Sequence, residues 1–257
     1  KEGYIGLMNV RGDGGSDDKR AYATIGSGSR AYISSSNYID FSEATEKTSI
    51  LYKSAVGEDG KYINNLGINI LLNNNESKGQ YGAKLGNLGQ ILIDNNLSIA
   101  VLGNADIGLE YSDLNRNISL IAMDSLGRIE DGNIDDINIE DKTMPYGIRT
   151  DYAKLILETK KYYDNKDVLF IELGDTTRLN SYKSVLNEKT FSTMKKSIYK
   201  NIDTYLKAVF SLVNPNDTIY IVSPTVSTLD SSQNKRLAPV IKFDGNGKGL
   251  LCSATTR

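Results

Sequence analysis

The stretch LSIAVLG, residues 97–103, decides how this chain is read. Four uncharged residues in succession, Ile99-Ala100-Val101-Leu102, run into a glycine, which fits a strand covered on both faces. Just before it, GAKLGNLGQILIDNN (82–96) spaces its Leu and Ile residues as a helix does. The same rhythm continues downstream. NISLIAMD (117–124) reads as a strand ending on Asp124, residues 150–163 as a helix and DVLFIELGD (167–175) as a strand. A long helix over 184–213 and a strand at DTIYIVS (217–223) follow, with further short strands at 4–9, 239–242 and 249–252. Strands alternating with helices predict a three-layer α/β/α sandwich with a mostly parallel central sheet.

Residues 35–80 are rich in Asn, Ser, Glu and Lys, and read as a peripheral excursion with ILYKSAV (50–56) and GINILLN (67–73) as its candidate elements. There is no internal repeat and no long Pro-rich linker, so residues 1–257 are taken as one domain. The chain opens on Lys1 directly before the strand-like GYIGLMN (3–9), and a leading segment is expected upstream of it.

Composition removes several chemistries. The formal net charge of −2 argues against a nucleic-acid surface, which needs a clustered excess of Lys and Arg. No run approaches the roughly 20 apolar residues that span a bilayer. There is no histidine, so a Ser-His-Asp triad and imidazole-held zinc are excluded. The one cysteine, Cys252, follows an apolar run and reads as a buried, inert thiol.

In sheets of this class, ligands gather where strands end at their carboxyl side. That rule selects Gly103-Asn104-Ala105-Asp106, Asp124, Gly174 to Arg178, and Ser223-Pro224-Thr225. Two weaker motifs compete with it. Gly26-Ser27-Gly28-Ser29-Arg30-Ala31 matches the dinucleotide pattern G-x-G-x-x-A, with a helix expected from 26 onward. Asp244 to Gly249 and Asp131 to Asp136 resemble calcium loops but lack key positions, so both read as turns. Thr24, before the expected helix start, is placed to attack or hold a phosphoryl or sulfuryl group, or simply to cap its own helix.

The succession GLMN (6–9), AYATIGSGSRA (21–31), VLGNAD (101–106), LIAMD (120–124), GIRTDY (147–152), FIELGDTTRL (170–179), IVSPT (221–225), KRLAPVI (235–241) and GLLCSATTR (249–257) resembles an uncharacterised bacterial group of the alkaline phosphatase superfamily. That resemblance implies Thr24 at the nucleophile position and Asp175 as the match to a metal-ligating Asp. It also implies a first strand and a last segment missing from this chain, and an extracytoplasmic address. Where the superfamily's enzymes carry histidines, this sequence offers Leu179 and Ser223-Pro224-Thr225, so a degenerate metal site is expected. A hard cation such as Mg, Mn or Ca remains compatible with oxygen ligands, with Asp175, Asp124 and Glu172 as candidates. Glu172 inside its strand reads more simply as the partner of a basic residue. Arg178 is a candidate anion contact or the structural partner of Asp175. The expected function is a non-catalytic or weakly active phosphatase-like domain that binds a phosphorylated or sulfated ligand or a protein partner at the cell envelope. The alternative is a metal-dependent phosphoric- or sulfuric-ester hydrolase using Thr24. A missing strand would leave an edge and apolar surface bare, so either a homo-oligomer or cover by a separate piece of the same protein is expected.

Overall fold

The computed structural model describes residues 2–34, 40–226 and 237–252. Its strands are β1 (Tyr4–Asn9), β2 (Phe41–Glu43), β3 (Ile63–Asn65), β4 (Ile99–Leu102), β5 (Arg128–Ile129), β6 (Asp131–Asn133), β7 (Asn138–Glu140), β8 (Ile148–Thr150), β9 (Val168–Ile171), β10 (Ile219–Val222), β11 (Leu237–Phe243) and β12 (Gly249–Leu250). Its α-helices are α1 (Asp18–Ser27), α2 (Glu46–Val56), α3 (Ile68–Lys78), α4 (Asn87–Asp94), α5 (Ser119–Ala122), α6 (Tyr152–Tyr163), α7 (Asp175–Tyr182) and α8 (Glu188–Leu212). The class is α/β, as the alternation predicts.

The expected single, mostly parallel sheet is replaced by several smaller ones. β6, β4 and β9 form the parallel sheet, in that order. β10, β11, β1 and β12 form a second sheet, antiparallel except where β12 runs parallel to β1. β2, β3 and β5 make a third, antiparallel sheet, and β7 pairs with β8.

β4 is fully buried, and its alternate residues enter two different cores. Ile99 and Val101 join residues of α1, α3, α5 and β3, while Ala100 and Leu102 join Tyr152, Leu155 and Tyr162 of α6 and Tyr205 of α8. β9 is divided the same way, with Phe170 against the first core and Leu169 and Ile171 against the second. The period of two in a strand therefore puts helices on both faces of the small parallel sheet. The segment expected to be an excursion supplies Phe41, Tyr52, Ile63, Ile68 and Leu71 to the first core; residues 35–39 of it lie outside the described residues.

Two element assignments are corrected. NISLIAMD holds the short helix α5, not a strand, and Ser119, Leu120, Ile121 and Ala122 are all buried in it. Leu120 to Met123 is a run of four apolar residues, too short to carry a period that separates a buried helix from a buried strand. The helix expected from 26 onward instead ends there. α1 starts at Asp18, with the Asp17 side chain accepting from Arg20 N at 3.2 Å, and closes on Gly28, whose φ of 66° is the left-handed cap that glycine adopts freely. Gly26 faces α5, where a Cβ would stand 2.5 Å from the Leu120 carbonyl, so it permits close packing between two helices.

Cys252 is exposed, contrary to the buried reading, because it follows β12 at the margin of its sheet. No helix among the described residues is long and apolar enough to cross a membrane.

Candidate functional site at the carboxyl ends of β4 and β9

The parallel sheet brings the ends of β4 and β9 together, and two glycines let the following loops touch. Gly103 has φ 87°, and a Cβ there would lie 2.3 Å from the Glu172 carbonyl; a Cβ on Gly174 would lie 2.0 Å from the Asn104 carbonyl. No side chain fits either place. Around this crossing two buried polar clusters form.

The first contains both residues that sequence reasoning selected after β9. Asp175 Oδ1 accepts from Thr150 N at 3.0 Å and from Arg178 Nη2 at 2.8 Å. Arg178 also donates to Thr150 Oγ1 at 2.8 Å and to the Asp106 carbonyl at 3.1 Å. Arg178 is 0% exposed and Asp175 3%, so the pair neutralises itself in the interior. Asp175 Oδ2, Arg178 Nε and the Tyr152 hydroxyl are buried without a hydrogen-bonding partner. The Tyr152 phenol is pushed far up, by burial first and then by the charge of Asp175.

The second cluster lies between α1, α5 and β9. Glu172 follows β9 and is buried; its Oε1 accepts from the Tyr22 hydroxyl at 3.0 Å and its Oε2 from Ile118 N at 3.3 Å. The basic partner expected for Glu172 is not found among the described residues. Burial raises its pKa to about 8, against the pull of those two donors, so it holds a proton at neutral pH. Burial likewise raises Asp40 to about 6, offset in part by Phe41 N and the Lys19 charge. Asp40 Oδ2 accepts from Arg116 N at 3.3 Å. The Arg116 guanidinium pairs with Asp106 at 2.9 Å and with Asp135, and donates to the Phe41 carbonyl at 2.9 Å. On the rim, the Thr225 hydroxyl donates to Asp18 Oδ1 at 2.6 Å, bringing the loop after β10 against the start of α1.

Thr24 stands apart from that start. It lies in the carboxyl-terminal half of α1, and its Oγ1 accepts from Ala31 N at 3.1 Å, tying the chain after the helix back onto it. Gly26 and Gly28 belong to a helix end, where carbonyls and not amides point outward, so the geometry that a pyrophosphate cradle needs is missing there. Asp124 braces its own turn, accepting from the amides of Leu126 and Arg128 and from Arg128 Nε, each at 2.9 Å. Asp131 opens β6 and pairs with Lys166, so only its loop residues turn as expected; Asp244 pairs with Lys242 and accepts from Asn246 N in a turn.

Sequence reasoning missed Tyr22, Asp40 and Arg116. Tyr22 and Glu172 are 150 positions apart, and no local spacing connects them. Arg116 precedes the run that was misread as a strand, which hid its place at the amino end of a buried helix.

Among the described residues, no three His, Cys, Asp or Glu side chains converge as metal ligands do. A cavity of about 320 Å³ lies elsewhere, lined by Glu2, Pro215, Asp217, Ile219, Phe243 and two glycines. Its carboxylates are engaged: Glu2 pairs with Lys248, and Asp217 accepts from Asn214 N at 2.7 Å.

The fold and these clusters define an α/β protein with a buried, self-neutralising polar centre at the ends of its parallel strands. Comparison with known protein families, characterised proteins and solved structures finds no match to this chain.

Proposed function

We propose that this chain is a phosphatase-like domain that acts by binding and not by turnover, as part of a protein at the bacterial cell envelope. One observation carries the reading: Arg178, the side chain that would grip an anion, is wholly buried and already closed onto Asp175 and Thr150. An anion could reach it only by displacing a carboxylate held at 2.8 Å, in a setting where breaking such a pair is costly. Thr24 supports the same reading, since its hydroxyl accepts from Ala31 N and lies in the carboxyl-terminal half of its own helix, away from the amino-terminal end whose dipole would lower its pKa. The envelope setting comes from the sequence resemblance. Of the two kinds of partner that resemblance implies, the sealed polar centre favours a protein surface over a phosphorylated or sulfated small molecule.

The alternative is metal-dependent ester hydrolysis with Thr24 as nucleophile and Asp175 on a Mg, Mn or Ca ion. Turnover of aryl phosphates and aryl sulfates, measured with Mn²⁺, Mg²⁺ and Zn²⁺ in turn, separates the two. The expected result is no metal-dependent rate above background, in the wild type or in Thr24→Ala. A metal-dependent rate in the wild type that Thr24→Ala abolishes would replace the binding reading with the enzymatic one.

A further inference from the structure

The four-stranded sheet stands outside both hydrophobic cores: among the described residues neither core includes a member of β1, β10, β11 or β12. Its strands are nonetheless composed like core strands. Pairing register assigns their side chains to faces, because residues directly opposite in a ladder point the same way. Ile5 sits between Ile241 of β11 and Leu250 of β12, and Leu7 faces Pro239. Asn9 lies opposite Leu237 at the end of the same face.

This face is bare at its centre. Leu250 is 77% exposed, Leu7 69%, Ile5 50% and Leu237 39%. No charged residue occurs on it in β1, β10, β11, or β12. One flank of the face is covered by this chain itself: Phe243 meets Phe210 of α8 edge-on, with ring centroids 4.8 Å apart. Isolated exposed Leu or Ile residues are ordinary, but four adjacent ones on one face of a sheet, with no charge among them, mark a contact surface.

We infer that this face, centred on Leu7, Ile5 and Leu250, is the contact surface of a homodimer in which two copies stack sheet on sheet about a two-fold axis. A second copy suits it for two reasons. An uncharged face is compatible with itself, since an isologous contact sets each residue near its own counterpart and would place like charges together if any were present. The area also fits a limited contact. With strands about 4.8 Å apart and a rise of about 3.4 Å per residue, the three strands that carry the bare residues cover roughly 300 Å² per copy. That is under half of the roughly 800 Å² per partner in a standard stable interface, so the dimer is a weak one, with a dissociation constant on the order of 100 µM. Stacked faces about 10 Å apart would let the rows of Ile and Leu interdigitate.

Sedimentation velocity from 5 to 500 µM tests the inference. The wild type should shift from monomer to dimer across this range, unchanged by added NaCl because no charge is at the contact, and strengthened by ammonium sulfate. Leu7→Lys should hold the protein monomeric throughout, with an unchanged thermal midpoint because the residue is already exposed. Tyr220→Lys, on the opposite face of the same sheet and 59% exposed, should dimerise as the wild type does. A wild type that stays monomeric at every concentration overturns the inference, whether or not it floats with phosphatidylcholine vesicles. So does a dimer that survives Leu7→Lys, or one lost on Tyr220→Lys.

Discussion

β4 and β10 are both four-residue strands made of uncharged aliphatic or aromatic residues, IAVL and IYIV, yet one lies at the centre of the molecule and the other at its margin. Every residue of β4 is buried, while β10 alternates between half-buried and exposed. The difference lies in what covers them. β4 has parallel neighbours on both sides and helices on both faces, whereas β10 is the last strand of a sheet that neither core includes. Composition makes a strand fit to be buried; neighbours from distant parts of the chain decide whether it is.

Three experiments press on that contrast. The largest effect is expected at the sealed pair beside β9. Arg178→Ala leaves Asp175 charged in the interior and should cost about 3–5 kcal/mol in urea unfolding, while the double variant with Asp175→Asn should recover a good part of it. Recovery is the telling result, because it separates an unpaired charge from lost packing. A loss below 1 kcal/mol in the single variant would show that water reaches the pair.

Next comes a matched truncation. Leu102→Ala removes a fully buried side chain between α6 and α8 and should cost about 2–5 kcal/mol, whereas Leu7→Ala on the bare sheet face should change stability by about 0.5 kcal/mol or less at low protein concentration. Equal effects would mean that the marginal sheet is as covered as the central one.

The third concerns the proton on Glu172. In the unfolded chain this group releases its proton near 4.5, and in the folded chain near 8, so unfolding releases a proton anywhere between the two. Stability is therefore greatest at the acid side of that window, falls by about 1.4 kcal/mol per pH unit as pH rises, and levels off above 8. Asp40, raised from 3.8 to about 6, steepens the acid part of the fall. Glu172→Gln should keep an acceptor for Tyr22 and remove the slope between 6 and 8. Chemical denaturation at pH 5, 6, 7 and 8 reads it directly, and an unchanged slope in the variant would move the titration to another group.

Much of the element order was legible. β1, β4, β9 and β10 fall where alternation and turn residues place them, and α8 follows its long amphipathic run. Proximity to strand ends selected Asp106, Asp175 and Arg178, and the structure brings the three together in buried polar clusters, because the loop after a parallel strand is also where buried polar groups can find partners. Thr24 was placed at the wrong end of its helix. Asp17 is as good a cap signal as Thr24 is a nucleophile signal, and a glycine pair can close a helix as readily as open one. α5 was unreadable for a related reason: Leu120 to Met123 is an apolar run of four residues, too short to carry a period.

By itself, the sequence determined the alternation of most strands and helices and that no histidine of this chain takes part in any chemistry, and the strand-end rule selected the carboxylates there as candidate ligands. Only the tertiary structure decided that Glu172 meets Tyr22, that Arg178 closes on Asp175, and that one apolar sheet is enclosed while another is left bare. Local pattern follows from backbone sterics and side-chain period over a few residues. Burial and charge pairing depend on contacts between residues as many as 246 positions apart, which no local pattern records.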